Sequence, residues 1–183
     1  MHTEPDDVRD VAAALSGDGE GYRRLVQRYQ AEIGDQMRRF SRDPAIRDQL
    51  THDVFVEAYL SLHSYRGSAA LLHWLRRIAV RVGYRYWTNQ KPQKGQSQLS
   101  EEDWRQLVAK SPSSGDAAEA AEAIHTLLAK LSPTDRLVIT LVHLDGCTMA
   151  EVADRTGWTV VGTKVRVFRA RNRLRNLLDG EHP

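Results

Sequence analysis

Along this chain apolar residues return every three or four positions in block after block, the spacing of helices with one buried face. Val8, Val11, Ala12 and Leu15 predict a short first helix with that face inward, stopped at Ser16-Gly17-Asp18-Gly19. Tyr22, Leu25, Val26, Tyr29, Ile33, Met37 and Phe40 predict a second, from near Glu20 to Phe40. Asp43 as N-cap and Pro44 at the first helical position open a third, which runs to His63 with Ile46, Leu50, Val54, Ala58 and Leu62 inward. After a loop at Ser64 to Ser68, Leu71, Leu75, Ile78, Val82 and Tyr86 mark a fourth that ends near Asn89. Residues 92–115 are rich in Pro, Gly, Ser and Gln and read as a flexible linker with one short amphipathic piece around Trp104 and Leu107. Ala117, Ala120, Ile124, Leu127, Leu128 and Leu131 predict a helix over about 116–130. Ser132-Pro133 opens the next, filled by Leu137, Val138, Leu141 and Leu144 and ended by Asp145-Gly146. No strand-like alternation occurs. The fold class is therefore all-α: two small helical domains, 1–91 and 116–183, joined by the linker.

The last stretch, Thr148 to Leu178, reads as a helix-turn-helix. Met149 to Thr156 is a short helix with Val152 and Ala153 inward, and Gly157 sits at the turn. A long helix follows from about Val160 to Leu178. At 100° per residue, Val160, Thr163, Val167, Ala170, Leu174 and Leu177 form one stripe, which should face the core. Lys164, Arg171 and Arg175 fall on one flank, and Arg166, Arg169 and Arg173 on the other. Between these cationic rails lie Val161, Val165, Phe168 and Asn172. The rails suit phosphates on either side of a groove. The strip suits base edges: Val and Phe can touch a thymine methyl, and Asn can pair with adenine. No acid occurs between Asp154 and Asp179. A solvated basic helix, or a face for an acidic protein, is the plainer alternative. The preceding short helix and the turn glycine favour DNA, because they specify the docking geometry.

Charge distribution adds a second candidate surface. The net charge is only +2, but residues 58–100 hold seven Lys or Arg and no acid, while 101–122 hold six acids. Arg77, Arg81 and Arg85 form a ladder on the fourth helix, with Trp74, Tyr84 and Trp87 nearby. Cations that follow a backbone and rings that stack on bases are what an unpaired strand needs. Trp74 and Tyr86 fit the core equally well, and core is the better reading of Trp74. Hydrophobic content of 41% and charged content of 27% mark a globular, soluble chain. No apolar run approaches 20 residues, and MHTEPDDVRD lacks the apolar centre of a signal peptide. Cys147 is the only cysteine, so no intrachain disulfide forms, as in a reducing cytoplasm. His143 and Cys147 stand four apart, but two more ligands at sensible spacing are missing, so no metal is expected. No phosphate-cradling Gly loop and no nucleophile–base pair points to an enzyme, a cofactor or a small-molecule substrate.

From about Val8 to Leu178 the chain resembles bacterial sigma factors of the extracytoplasmic-function group, group 4 of the sigma-70 family, which keep only the second and fourth sigma domains. The pieces that carry the resemblance are GDGEGYRRLVQRY, LTHDVFVEAY, YRGSAALLHWLRRIAVRVGYRYW, and LSPTDRLVITLVHLDGCTMAEVADRTGW with KVRVFRARNRLR, in that order. The resemblance implies a transcription initiation factor that binds core RNA polymerase and promoter DNA in the cytoplasm. It implies polymerase docking through Asp48, Gln49, His52, Asp53 and Val56. Minus-10 capture falls to Tyr65, Arg66, Ser68, Arg77, Arg81, Tyr84 and Arg85. Minus-35 reading falls to Val161, Thr163, Lys164, Val165, Arg166, Phe168, Arg169, Arg171, Asn172 and Arg173. It further implies an anti-sigma factor, commonly membrane-anchored, that clamps the domains together. Glu101, Glu102 and Asp103 resemble a linker segment that threads toward the polymerase active site as a nucleic-acid mimic.

Several positions depart from the family pattern. Gln49, His52 and Asp53 stand where an Asp-x-x-Gln-Glu pattern is usual, with Asp48 able to supply the displaced charge. Leu71 replaces a Phe before Trp74. Arg81 and Arg85 replace Asn and Asp, so the minus-10 surface is more basic. Gly162-Thr163 is shifted by one; Thr163 takes an apolar position, and Val165 and Phe168 replace small polar residues, so the minus-35 sequence should differ from the group's usual one. Two other readings stay open. A sigma-like decoy for an anti-sigma factor would not need a complete base-reading helix. A stand-alone helix-turn-helix regulator would need a dimerisation helix, and none is evident.

Overall fold

Side-chain caps set where the helices that start at Gly19, Pro44, Pro133 and Met149 begin. Asp18 accepts a hydrogen bond from the Glu20 N–H and Asp43 from the Ala45 N–H, each at 2.9 Å. Ser132 accepts from the Asp135 N–H and Thr148 from the Glu151 N–H, each at 3.2 Å. Each caps donors that the first turn leaves open. Pro44 and Pro133 follow two of these caps, where a missing N–H costs nothing. The computed structural model describes residues 5–90 and 117–178, with side chains over 6–90 and 121–177; the linker 92–115, with Glu101, Glu102, Asp103, Trp104 and Leu107, lies outside them. The described helices are α1 Pro5–Leu15, α2 Gly19–Met37, α3 Pro44–Ser61, α4 Leu71–Asn89, α5 Ala117–Ala129, α6 Pro133–Ile139, α7 Met149–Thr156 and α8 Val160–Leu178. No strand occurs among the described residues. The protein is all-α, built as two helical bundles, α1–α4 and α5–α8.

The first bundle closes on α4, whose Leu71, Leu75, Ile78 and Val82 are buried as expected. Tyr86 is half-buried at the edge of that stripe. A Cβ on Gly83 would lie 2.3 Å from the Phe40 ring, so only glycine lets α4 approach there. Helix α2 stops at Met37 rather than Phe40, yet Phe40 still turns inward to meet Trp87, ring centroids 4.6 Å apart. Helix α3 ends at Ser61, and Leu62–Ser64 tighten into a 3₁₀ turn.

Helix α1 corrects the apolar reading of its face. Val8, Ala12 and Leu15 point to solvent, while Asp7, Asp10, Val11 and Ala14 are buried. The cause lies on α2. Arg24 Nε donates to Asp10 at 2.8 Å, Arg28 Nη2 donates to Asp10 at 2.7 Å, and the Tyr29 hydroxyl donates to Asp7 at 2.6 Å. The two carboxylates give those donors both an acceptor and, for Arg24 and Arg28, a counter-charge, so the acids, not the aliphatic stripe, decide which way α1 faces.

In the second bundle Leu128, Leu131, Val138, Ile139, Val167 and Ala170 form the core. Two expected core residues are exposed. Ile124 lies on the rim of α5, and Val160 lies on the first turn of α8, before that helix reaches the core at Thr163. After α6 the chain continues through a π-helical turn, Thr140–Leu144, and the Asp145 N–H donates to the Thr140 carbonyl at 3.1 Å.

The bundles pack on each other through α4, which meets α6 and α7. Leu137, Leu141, Cys147 and Val152 join the core of the first bundle. Ion pairs cross the seam from Arg39 to Asp145 at 2.9 Å and from Arg42 to Glu122 at 2.8 Å, and His73 meets Asp154 at 2.7 Å.

Burial by itself would raise the Asp10 carboxyl, but the hydrogen bonds and charges of Arg28 and Arg24 outweigh it and hold the group below the usual carboxylate range. A depressed native pKa stabilises the fold above the unfolded value and is lost as pH falls through the native one. Asp10→Asn should therefore cost about 2 kcal/mol at neutral pH. The difference from wild type should shrink as the pH drops below about 4. Urea denaturation at both pH values checks this; an equal difference at both would refute it.

Candidate nucleic-acid interface

The α7–α8 unit is fixed locally at each joint. Thr148 and Glu151 form a reciprocal capping box, and hydrogen bonds from the Thr148 N–H and hydroxyl hold the Glu151 carboxyl below its usual range. Gly157 ends α7 at φ 76°, a left-handed conformation that favours glycine. The Thr159 hydroxyl then accepts from the Gly162 N–H at 3.0 Å and opens α8.

Helix α8 presents the strip expected of it. Val161 is 73% and Phe168 65% exposed, with Val165 exposed and Asn172 half-exposed between them. Apolar side chains this open, on a helix this cationic, are unusual unless something covers them. Lys164, Arg169, Arg171 and Arg173 are exposed on the flanks. Three of the arginines are held in place. Arg166 stacks on Trp158 with its guanidinium 4.5 Å from the ring centroid, Arg171 Nε donates to His143 Nε2 at 3.2 Å, and Arg173 pairs with the buried carboxylate of Asp135. Thr163 is a correction to the DNA-contacting set. It is fully buried, and its hydroxyl donates back to the Thr159 carbonyl at 3.0 Å, so it cannot reach a groove.

On α4 the Arg77, Arg81 and Arg85 ladder is exposed along one line. Glu57 of α3 meets both Arg81, at 3.0 Å, and Arg85, at 3.1 Å. Arg77 lies 3.7 Å from Asp154 of α7. Arg66 and Ser68 are exposed in the loop before α4. Tyr65 pins that loop: its hydroxyl donates to the Ala69 carbonyl at 2.7 Å, and its ring lies 5.6 Å from that of Trp74. Trp74 is half-buried against the core, in keeping with the core reading. Tyr84 is half-buried with its hydroxyl 3.1 Å from that of Thr134. Trp87 is a correction to the base-stacking reading. It is buried, its Nε1 donates to the Phe40 carbonyl at 2.9 Å, and the Arg136 guanidinium lies over its ring, 4.1 Å from the centroid.

A third surface runs along α3. Asp48, Gln49, His52 and Val56 are exposed, and Gln49 Nε2 donates to half-buried Asp53 at 2.8 Å. Tyr59, 55% exposed and at the end of the expected docking helix, and Leu60, 70% exposed and beyond it, extend the surface. The signal for both was present: apolar residues three and four positions beyond Val56, off the buried Leu50, Val54 and Ala58 stripe. Cys147 is buried, and burial pushes its thiol up, away from the reactive thiolate.

Residues 25–93 match the family model described as sigma-70 region 2, and residues 121–174 match sigma-70, region 4. The chain is 28% identical over 174 residues to the ECF RNA polymerase sigma-E factor of Escherichia coli strain K12, covering 91% of each chain. It is 27% identical to the protein of the same name from Haemophilus influenzae, covering 91% of this chain and 92% of the other. Its fold is similar to that of CnrH in complex with the cytosolic domain of CnrY, with TM-score 0.61, 24% identity, and 97% and 99% of the two chains covered. It is also similar to RpoE of Bartonella quintana in complex with the anti-sigma factor NepR, with TM-score 0.54, 18% identity, and 88% and 98% covered.

Glu57 offsets two cations of the ladder that the sequence assigns to an unpaired strand. Glu57→Gln should tighten binding to single-stranded DNA roughly two- to fivefold, the range of a partly exposed pair. Fluorescence anisotropy with a labelled oligonucleotide reads this, and unchanged or weaker binding would count against a DNA role for the ladder.

Proposed function

We infer that this chain, which belongs to the sigma-70 family, is an extracytoplasmic-function sigma factor that binds core RNA polymerase and directs initiation at promoters read at minus-35 and minus-10 elements. What carries the reading is α8: an open strip of Val161, Val165, Phe168 and Asn172 between cations, on a helix set by a capped α7 and a left-handed glycine. Base edges take the strip, and the flanking phosphates take Lys164, Arg166, Arg169, Arg171 and Arg173. The minus-10 strand runs over Arg77, Arg81 and Arg85 of α4, with Arg66 and Ser68 from the preceding loop and the edges of Tyr65 and Tyr84. The α3 surface of Asp48, Gln49, His52, Asp53 and Val56, continued by Tyr59 and Leu60, docks on the polymerase. The functional units are residues 1–91 and 116–183, as in group 4 factors that keep only two sigma domains. Two weak DNA sites on one chain gain strength through effective concentration, so the protein alone binds promoters poorly.

An anti-sigma factor that engages both bundles controls it; the similar fold of RpoE was solved in complex with the anti-sigma factor NepR. The protein works in the cytoplasm, where polymerase and promoter are, and performs no catalysis of its own.

Run-off transcription with purified core polymerase on fragmented host DNA tests the reading. New start sites that share two upstream motifs are expected. Binding to polymerase with no transcripts would favour a decoy for an anti-sigma factor, and tight duplex binding with no polymerase contact would favour a stand-alone regulator. On an identified promoter, Lys164→Gln should weaken binding to all sequences alike and reduce the salt slope by about one, whereas Asn172→Ala should relax base preference at one position. The reverse pattern would overturn the division between rail and strip.

A further inference from the structure

Between the bundles lies a cavity of about 380 Å³ that neither DNA surface uses. Arg38, Arg39, Arg42 and Arg47 line it from the first bundle, and His125 and Arg136 from the second. Ile124, Leu128 and Leu144 supply an apolar wall. The volume is within the range of small-molecule sites.

Five guanidinium groups around one space would repel each other unless anions are near. Four have a carboxylate at hand: Asp35 for Arg38, Asp145 for Arg39, Glu122 for Arg42, and Asp48, 3.7 Å away, for Arg47. Arg136 has none among the described residues. It is only 7% exposed, its Nε has no hydrogen-bond partner, Nη2 meets the His125 ring at 3.0 Å, and its guanidinium lies 4.1 Å over the Trp87 ring, so its neighbours offer a ring face and an imidazole but no full negative charge. Burial pushes the Arg136 guanidinium down to about 10, so it stays charged at neutral pH. Burial, and then the charge of Arg136, push the His125 imidazole down, and an imidazole supplies no negative charge in either of its forms. A buried cation without a counter-charge is a costly arrangement that an anionic ligand would relieve.

We propose that this cavity binds a small phosphate-bearing organic anion, of the nucleoside polyphosphate class, with its phosphates on the arginine cluster and its body on the Ile124, Leu128 and Leu144 wall. Planar guanidinium forks match phosphate oxygens in pairs. No α8 residue lines the cavity, so the site is separate from the duplex-reading surface. A ligand there contacts both bundles and so favours their packed arrangement over any parted one. None of this depends on the transcription reading, because binding is measured on the chain without DNA or polymerase.

Isothermal titration of the full chain with pyrophosphate and with ATP, in ~0.1 M salt, tests the proposal. Saturable one-to-one binding is expected, tighter for ATP than for pyrophosphate. Arg38→Gln with Arg47→Gln should weaken it about tenfold or more. Neither of those residues forms one of the ion pairs across the seam, so the loss would not come from parting the bundles. Lys164→Gln with Arg169→Gln on α8 should leave it unchanged. Arg136→Met should abolish it as well, but that variant also removes the stack on Trp87 across the seam, so the rim variant decides. No saturable binding overturns the proposal. So does binding that survives the rim variant and is lost in the α8 variant, since α8 would then hold the phosphate. Equal affinity for the two probes overturns the part assigned to the apolar wall.

Discussion

Trp87 is the joint on which the two bundles depend. Its ring packs against Phe40, its indole N–H ties to the Phe40 carbonyl, and the guanidinium of Arg136 stacks on it from the second bundle. An indole whose N–H is satisfied internally can be buried at little polar cost, and its face then attracts a cation. Arg136 gains that attraction in place of an ion pair. Around this stack the exposed contacts, Arg39 with Asp145 and Arg42 with Glu122, are open to water and individually worth little. The apolar residues that α6 and α7 add to the first core carry the packing, and Trp87 with Arg136 fixes its register.

Local chemistry made most of the helix boundaries legible. Asp43-Pro44 and Ser132-Pro133 are caps because the side-chain acceptor and the missing N–H act within one turn. Gly157 is legible for the same reason, since a left-handed residue ends a helix whatever surrounds it. The buried stripes of α2, α3 and α4 were readable because one face of each meets an apolar neighbour. Helix α1 was not. Its inward face is chosen by Asp7 and Asp10, residues that ordinarily mark the solvent side, and their partners Arg24, Arg28 and Tyr29 lie on another helix. The angular reading of α8 placed Thr163 on the core stripe, where it is. Assigning it also to DNA by resemblance failed, because one small polar residue cannot serve both faces. The packing of one bundle on the other left no periodic trace, since it rests on contacts between residues about 50 to 106 positions apart.

The cationic surfaces are not bare. Six of the eight arginines in the proposed DNA-facing sets meet something that fixes their direction: Trp158 for Arg166, His143 for Arg171, Asp135 for Arg173, Glu57 for Arg81 and Arg85, and Asp154 for Arg77. Side chains held this way lose less rotamer freedom when a phosphate arrives. The exposed pairs of this set are each worth about 0 to 1 kcal/mol and can yield to a phosphate, whereas Asp135, which is buried, holds Arg173 more firmly.

Arg77 differs from the other two rungs of its ladder in where its neutralising acid sits. Glu57 lies on α3 and moves with Arg81 and Arg85 wherever the first bundle goes. Asp154 lies on α7, so its contacts with Arg77 and His73 exist only while the bundles are packed. Parting them removes a negative charge from the start of α4 and exposes its apolar contacts with α6 and α7, without altering Glu57. The charge on this face of α4 therefore depends on bundle arrangement at its N-terminal end and is constant at its C-terminal end. A nucleic-acid strand laid along α4 would meet full positive charge at Arg77 only after the second bundle has moved away, so strand capture and bundle separation favour each other through that single carboxylate.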